Sequence, residues 1–159
     1  MVKVIHHSDL NQTLIGEIIG VKSLSWKYSF EEHLQWMDEN LLPTDMHFML
    51  YNSLGELISY MNLVEVNVII NNENFHALGV GNVCTRMKGK GNGKMLMIEI
   101  NRFLVEKGCI GILFCKTNLI SFYEQFEWKK TPSKNLNLHL MILNFKGTIS
   151  NIIYTERTF

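Results

Sequence analysis

Cysteine is scarce in this sequence, and neither sign of charge is in excess. The three cysteines, Cys84, Cys109 and Cys115, are odd in number and form no C-x-x-C pair, which indicates neither a disulfide framework nor a zinc site. The formal net charge is zero, so the chain has no general positive field for nucleic acid. No apolar run reaches the roughly 18 residues of a membrane span, and the first residues lack the apolar region of a signal peptide. We therefore expect a soluble cytoplasmic protein that uses no metal and binds neither nucleic acid nor a membrane.

Length and apolar content are those of a folded domain. The chain has 159 residues, 47% of them hydrophobic, which is enough for a core of useful size and argues against disorder. The sequence contains no internal repeat, linker or low-complexity tract. We expect a single domain over residues 1–159.

Two amphipathic helices are predicted near the start, after a short strand. Ser8 or Asp9 can cap the first helix, whose apolar residues recur at helical spacing. Ser29 and Glu32 form a capping box for the second helix, which Pro43 ends. Three aromatic residues beside these helices fit either a core, which is their commoner role, or the wall of a substrate pocket. They are Trp26, Tyr28 and Trp36.

From residue 46 onward the apolar period changes to that of strands. The predicted strands are Met46–Tyr51, Glu56–Leu63 with an extension to Ile70, Phe75–Thr85, Ile110–Cys115 and Leu138–Phe145. The predicted helices are Met95–Lys107 and a short one from Thr117 or Asn118. A strand, a helix and a second strand in succession predict a parallel strand pair. Residues 146–159 are expected to form an extra strand or an arm.

Two glycines inside the predicted strand that ends at Thr85 are unusual. Glycine weakens a strand, so Gly79 and Gly81 indicate a bulge or the close approach of another backbone. A bulge would turn N–H groups away from the neighbouring strand and toward a ligand.

The strongest chemical signal is the loop between Thr85 and the next predicted helix. Gly89, Gly91 and Gly93 alternate with polar residues, and glycine permits positive φ and a close approach of backbone to ligand. The unpaired N–H groups at the start of a helix favour an anion. The polar residues of the loop are Lys88, Lys90, Asn92 and Lys94. The stretch predicts a phosphate or pyrophosphate site, and its alternatives are a simple chain turn or a basic loop that touches nucleic acid.

The spacing of the glycines selects among phosphate-binding motifs. Lys88-Gly89-Lys90-Gly91-Asn92-Gly93 fits neither the nucleotide P-loop nor the dinucleotide fingerprint, but it fits [RQ]-G-x-G-x-[GA] with Lys88 at the first position. This pattern resembles the acetyl-CoA pyrophosphate loop of the GNAT superfamily of N-acyltransferases. A second stretch, Asn118–Trp128, is similar to that family's N-x-x-A-x-x-F-Y-E-x-x-G-[FW] segment, with Glu127 in place of its glycine.

The resemblance implies a fold and a ligand. The implied fold is of the α+β class, with a central mixed, mostly antiparallel twisted sheet of about six or seven strands and about four flanking helices. A splayed parallel strand pair would form the CoA cleft, and acetyl-CoA would be the cosubstrate. The residues expected to contact it are Val83, Cys84, Thr85, Lys88, Gly89, Lys90, Gly91, Asn92, Gly93, Lys94, Asn118, Phe122 and Tyr123.

The implied chemistry is the direct transfer of an acetyl or other acyl group from CoA to a primary amine of a small molecule or peptide. A backbone N–H of Val83, freed by the bulge, would stabilise the oxyanion, and Tyr123 would act as general acid for the leaving thiolate. Glu73 or His76 is expected to serve as the base, with Glu65 as a third choice.

Other functions remain open from the sequence. The same fold can serve as a non-catalytic CoA-binding or sensory module. The loop lysines Lys88, Lys90 and Lys94 also fit a nucleic-acid-binding domain, although the neutral overall charge argues against it. The last strand and the tail are reasonable material for a homodimer contact.

Overall fold

An eight-stranded sheet forms the centre of the part of the chain that the structure describes, and four α-helices cover it. The structure is a computed structural model and describes residues 1–132, 138–154 and 157–159. The strands are β1 (Val2–His6), β2 (Met46–Tyr51), β3 (Leu57–Ile70), β4 (Glu73–Thr85), β5 (Ile110–Cys115), β6 (Lys129–Lys130), β7 (His139–Leu143) and β8 (Ile152–Ile153). The helices are α1 (Gln12–Ser25), α2 (Phe30–Asn40), α3 (Asn92–Glu106) and α4 (Ile120–Glu124), with 3-10 helices at His7–Asp9 and Thr117–Leu119.

The strands run in the order β1-β2-β3-β4-β5-β7-β6, and β8 pairs with one end of β3. All neighbouring pairs are antiparallel except β4 and β5, which α3 connects in parallel. The predicted α+β class and the parallel pair are therefore confirmed. The sheet has eight strands among the described residues rather than six or seven, because β6, which contains only two residues, was not predicted.

The first two helices begin at side-chain caps. The capping box predicted for α2 is present, since the Ser29 side chain accepts from the Glu32 N–H and Glu32 accepts from the Ser29 N–H. The cap predicted for α1 was wrong. Ser8 and Asp9 lie in the preceding 3-10 helix, and the Asn11 side chain caps α1 by accepting from the Leu14 N–H. Asn is as good a cap as Asp or Ser, so local preference did not decide among them.

Each face of the sheet has its own apolar core. The α1–α2 face packs Ile18 and Met37 of the helices against strand residues such as Val64 and Ala77. The α3–α4 face packs helix residues, Ile100 among them, against the other side of the same strands. Within the described ranges, no helix is long and apolar enough to cross a bilayer.

The parallel pair is short, and this opens the sheet. Ala77, Leu78 and Gly79 of β4 pair with residues 110–112 of β5, and no later pairs join these two strands among the described residues. β4 stays paired with β3 up to Thr85, and β5 stays paired with β7. The end of β4 that feeds the glycine loop is therefore free on the side that faces β5.

Residues 157–159 return to this opening after β8 has paired with β3. Arg157 forms an ion pair with Asp45, whose side chain is fully buried, and also donates to the Asn40 carbonyl at 2.6 Å. Phe159 lies against Gly79 of β4. The predicted extra strand and the predicted arm are thus both present.

A buried histidine lies in the sheet beneath the α1–α2 face. His47 on β2 is fully buried, its Nε2 lies 3.0 Å from His7 Nδ1, and its Nδ1 lies 2.8 Å from the Tyr60 hydroxyl. Burial is the main cause that lowers the pKa of His47 to about 3, and the nearby His7 and Lys22 lower it further. The folded protein therefore holds His47 neutral at physiological pH.

This histidine should make the protein sensitive to acid. As the pH falls from about 6.5 toward 3, the unfolded chain binds a proton at residue 47 that the folded chain does not, so stability is lost at up to about 1.4 kcal/mol per pH unit. Urea unfolding at several pH values should show that His47→Gln loses stability less steeply than wild type in this window. Parallel curves for the two proteins would contradict the assignment.

Candidate active site

The glycine loop makes a tight turn into α3. Gly89 and Gly91 have φ of +75° and +79°, in the left-handed region that favours glycine. A Cβ added at either position would meet no described atom within 4 Å, so the backbone here is open to a ligand. Gly93 is already helical, and its Cβ would make ordinary contacts with Phe122 at 3.5 Å and Thr85 at 3.6 Å. The glycines thus permit the tight turn and leave its backbone accessible to a ligand.

The start of α3 is suited to an anion. The first intrahelical bond runs from the Met95 N–H to the Gly91 carbonyl, so the N–H groups of residues 92–94 have no partner within the helix. Among the described residues, no side chain caps this end, and its first turn holds no acidic residue. The exposed side chains of Lys88, Lys90 and Lys94 add positive charge to that of the helix dipole.

A β-bulge lies where the opening begins. Tyr60 of β3 pairs with Cys84 and Asn62 pairs with Gly81, so Asn82 and Val83 together oppose a single β3 residue. Asn82 takes a left-handed conformation with φ of +52°, and its side-chain amide donates to Asn62 Oδ1 at 2.7 Å. The bulge predicted from the glycines exists, but it lies just after them.

Gly79 and Gly81 are explained by a close approach. A Cβ at Gly79 would lie 2.6 Å from the Phe159 ring, and one at Gly81 would lie 2.1 Å from the Phe159 carbonyl carbon. Real Cβ atoms do not approach so closely, so both positions must lack a side chain for Phe159 to lie where it does.

Tyr123 on α4 borders the same opening. Its side chain is buried, and burial, with a smaller effect of Cys115, raises the pKa of its hydroxyl to about 12. The hydroxyl is therefore protonated at physiological pH and can donate a proton or a hydrogen bond. The neighbouring Phe122 ring packs edge-on against Tyr123, with their centroids 5.2 Å apart, and also lies beside Gly93.

A cleft of about 780 Å³ joins the bulge and Tyr123 to Lys88, the first lysine of the glycine loop. Its lining includes the bulge, Tyr123, Cys115, Lys88 and Phe159, and it extends to residues of α1 and α2. The residues from this side are Lys22, Ser25, Trp26, Tyr28, Glu32, His33 and Trp36. The sequence did not decide between a core role and a pocket role for Trp26, Tyr28 and Trp36. All three line the cleft, and Trp26 and Trp36 also pack against the core.

Two basic side chains in the cleft escaped the sequence analysis. Burial lowers the pKa of Lys22 to about 8, and its Nζ lies 4.3 Å from the centre of the Trp36 ring. Burial also lowers the pKa of His33, whose Nε2 lies 3.2 Å from the Trp26 carbonyl oxygen. A signal for Lys22 existed, because a lysine four residues after Ile18 continues the buried stripe of α1.

Some predicted site residues lie away from the cleft. Glu73 and His76 are exposed near the start of β4, whereas residues 80–83 of this strand line the cleft, and Glu65 is exposed on β3. Asn118 is exposed in the 3-10 helix before α4. The structure does not bring Glu73 or His76 into contact with the other predicted residues, because a strand carries its first residues far from its last.

Cys84 has the chemistry of a core residue. It is buried toward the α1–α2 face, and burial raises the pKa of its thiol to about 12. A neutral buried thiol is a poor nucleophile. Within residues 1–132, 138–154 and 157–159, no three His, Cys, Asp or Glu side chains form a group able to hold a metal ion.

The fold of this chain can be compared with those of known proteins. No protein-family model matches the sequence, and no curated protein matches it. Solved structures do match, and the chain has the fold of the GNAT N-acetyltransferases, as the sequence motifs predict.

Three solved structures illustrate the likeness. An acyl-CoA N-acyltransferase from Pseudomonas aeruginosa has a TM-score of 0.66 at 16% identity, over 89% of this chain and 97% of its own. A GNAT-family acetyltransferase from Staphylococcus aureus has a TM-score of 0.55 at 12% identity, over 89% and 98%. The Bacillus subtilis N-acetyltransferase YlbP, solved in complex with coenzyme A, has a TM-score of 0.60 at 15% identity, over 90% and 96%.

The loop conformation predicts opposite effects for the same substitution at two glycines. Gly16 in α1 and Gly89 in the loop both have free space for a Cβ within the described structure, but only Gly89 has positive φ. Urea unfolding should show that Gly89→Ala costs about 1–2 kcal/mol, because an L side chain is strained in the left-handed region. Gly16→Ala should stabilise the protein by about 0.5–1 kcal/mol, since alanine favours a helix over glycine. Equal effects at both sites would show that φ is not the cause.

Proposed function

We propose that this protein is an acyltransferase that moves an acetyl group from acetyl-CoA to a primary amine of a small molecule or peptide. Attack would be direct, within a ternary complex. The observation that carries the proposal is one cleft lined by a bulged strand, a buried neutral tyrosine and Lys88 of the glycine loop, the loop that leads into the start of α3.

The glycine loop fits a pyrophosphate. Three features favour a multiply charged anion: the open backbone at Gly89 and Gly91, the N–H groups of residues 92–94, which have no partner within the helix, and three exposed lysines. Acetyl-CoA supplies such a pyrophosphate and an activated acyl thioester. The coenzyme A in the similar structure of YlbP supports the same ligand here.

The bulge and Tyr123 suit the two charges that the reaction creates. As the amine nitrogen bonds to the thioester carbon, the carbonyl oxygen becomes negative, and the Val83 N–H is the proposed donor to it. As the carbon–sulfur bond then breaks, the Tyr123 hydroxyl would give its proton to the sulfur. Its raised pKa ensures that this proton is present.

The amine must lose a proton, and the cleft holds two groups able to accept one. We propose His33 first, because its lowered pKa keeps the imidazole neutral, and a hydrogen bond from Nε2 to the Trp26 carbonyl leaves Nδ1 as the acceptor. Lys22, with its pKa near 8, is the second choice. Glu73 and His76 would need a chain of water molecules to reach the cleft.

The proposal also covers the protein's cellular location, domain organisation and assembly. Cys84, Cys109 and Cys115 are all free thiols, which suits the reducing cytoplasm. We propose that residues 1–159 act as one domain, and that the last strand and the tail supply a homodimer contact.

Gly91→Glu should abolish acetyl-CoA binding. The new carboxylate would lie at the start of α3 and repel the pyrophosphate. Gly55→Glu is a matched control, since Gly55 has φ of +77° and free space within the described structure, but lies in the turn between β2 and β3. Calorimetry should give micromolar affinity for wild type and for the control only. A folded wild-type protein that binds no CoA species would overturn the proposal.

Tyr123→Phe should keep acetyl-CoA affinity while kcat falls by about 10²–10⁴-fold, the usual loss when a general acid is removed. Thiol release can be followed with a panel of primary amines and peptide amino termini. Tyr51→Phe is the control, because the Tyr51 hydroxyl donates to Glu17 and does not line the cleft. Undiminished turnover in Tyr123→Phe would remove this residue from the mechanism. Binding without turnover in wild type would instead favour a CoA-binding or sensory module.

A further inference from the structure

Phe159 fills part of the opening between β4 and β5 from the α1–α2 face. Its ring centre lies 5.7 Å from that of Phe114 on β5 and 5.6 Å from that of Tyr154. On the β4 side, the ring covers Gly79 and the carbonyl group covers Gly81. Phe159 thus lies against both strands where they part, at their last shared pair and just beyond it.

This segment is anchored in place. The Asp45 side chain, fully buried, accepts from the Arg157 guanidinium and from the Leu42 N–H at 2.7 Å. Arg157 also donates to the Asn40 carbonyl at 2.6 Å, and its own carbonyl accepts from the Tyr154 hydroxyl. Moving the segment away would leave a buried carboxylate without its cation, which is strongly unfavourable. Residues 157–159 therefore behave as a fixed wall of the cleft.

The wall stands close to the proposed site of reaction. Gly81, which the Phe159 carbonyl covers, comes only two residues before Val83, and both line the cleft, so only the short space across the bulge separates Phe159 from Val83. An acyl group whose carbonyl lies at the Val83 N–H has only this space before it meets Phe159. Trp26 and Tyr28, between α1 and α2, line another part of the cleft. This part would hold the acceptor amine.

We propose that Phe159 determines which acyl group the protein accepts, by limiting its length to that of acetyl or a group only slightly longer. The inference rests on the proposed function, because it takes an acyl-CoA as the ligand. A longer chain would have to displace a ring that is packed against Phe114 and Tyr154. Forcing extra methylenes into such packing is unfavourable.

Calorimetry with CoA, acetyl-CoA and hexanoyl-CoA tests the inference without any acceptor. Wild type should bind hexanoyl-CoA at least about tenfold more weakly than acetyl-CoA, and Phe159→Ala should reduce this ratio to about threefold or less. Affinity for CoA itself should not change. Phe145→Ala is the matched control, because Phe145 packs on the same face against Phe75, outside the cleft. It should keep the wild-type ratio.

Phe159→Leu provides a second variant that retains apolar packing, and its ratio should fall between those of wild type and Phe159→Ala. Equal binding of the two acyl-CoAs by wild type would overturn the inference. A ratio unchanged in folded Phe159 variants would do the same, and in both cases CoA binding would leave the proposed function intact. Failure of wild type to bind any CoA species would overturn both.

Discussion

The parting of β4 from β5 is the constraint on which the rest of the structure depends. Each strand keeps one neighbour, β3 for β4 and β7 for β5, so the sheet stays whole while a gap opens inside it. The hydrogen bonds given up are those between the two strands after Gly79. Backbone groups released in this way need other partners, and the cleft is where a ligand or water can supply them. The cleft thus provides both space and directional binding groups.

Strained and unsatisfied groups gather beside this gap. In β3, Ser59 Oγ and Asn62 Nδ2 are buried and have no hydrogen-bond partner among the described residues. Across from them, Asn82 holds a positive φ that few side chains adopt. Each feature costs on the order of 1–3 kcal/mol and persists only where the surrounding fold enforces it. Such features concentrate at functional sites, which supports placing the chemistry here.

Features that depend on neighbouring residues could be predicted from the sequence, whereas contacts between distant residues could not. A capping box needs only Ser29 and Glu32, and the glycine loop needs only its own spacing, so both follow local rules. Proximity in sequence pointed to Glu73 and His76 as bases, but the length of β4 keeps them from the cleft. Phe159 joins the site through contacts with residues far along the chain, and no local pattern encodes them.

The bulge also changes which side of the sheet the later residues of β4 face. In a regular strand, residues three apart face opposite sides. Gly81 and Cys84 nevertheless both face the α1–α2 side, because Asn82 and Val83 share one partner position on β3. If all of these residues paired regularly, with no bulge, Cys84 and every later side chain of β4 would face the other side of the sheet, whereas a strand one residue shorter would keep their side but lose the bulge. The number of residues in this strand, as much as their identity, therefore encodes the site.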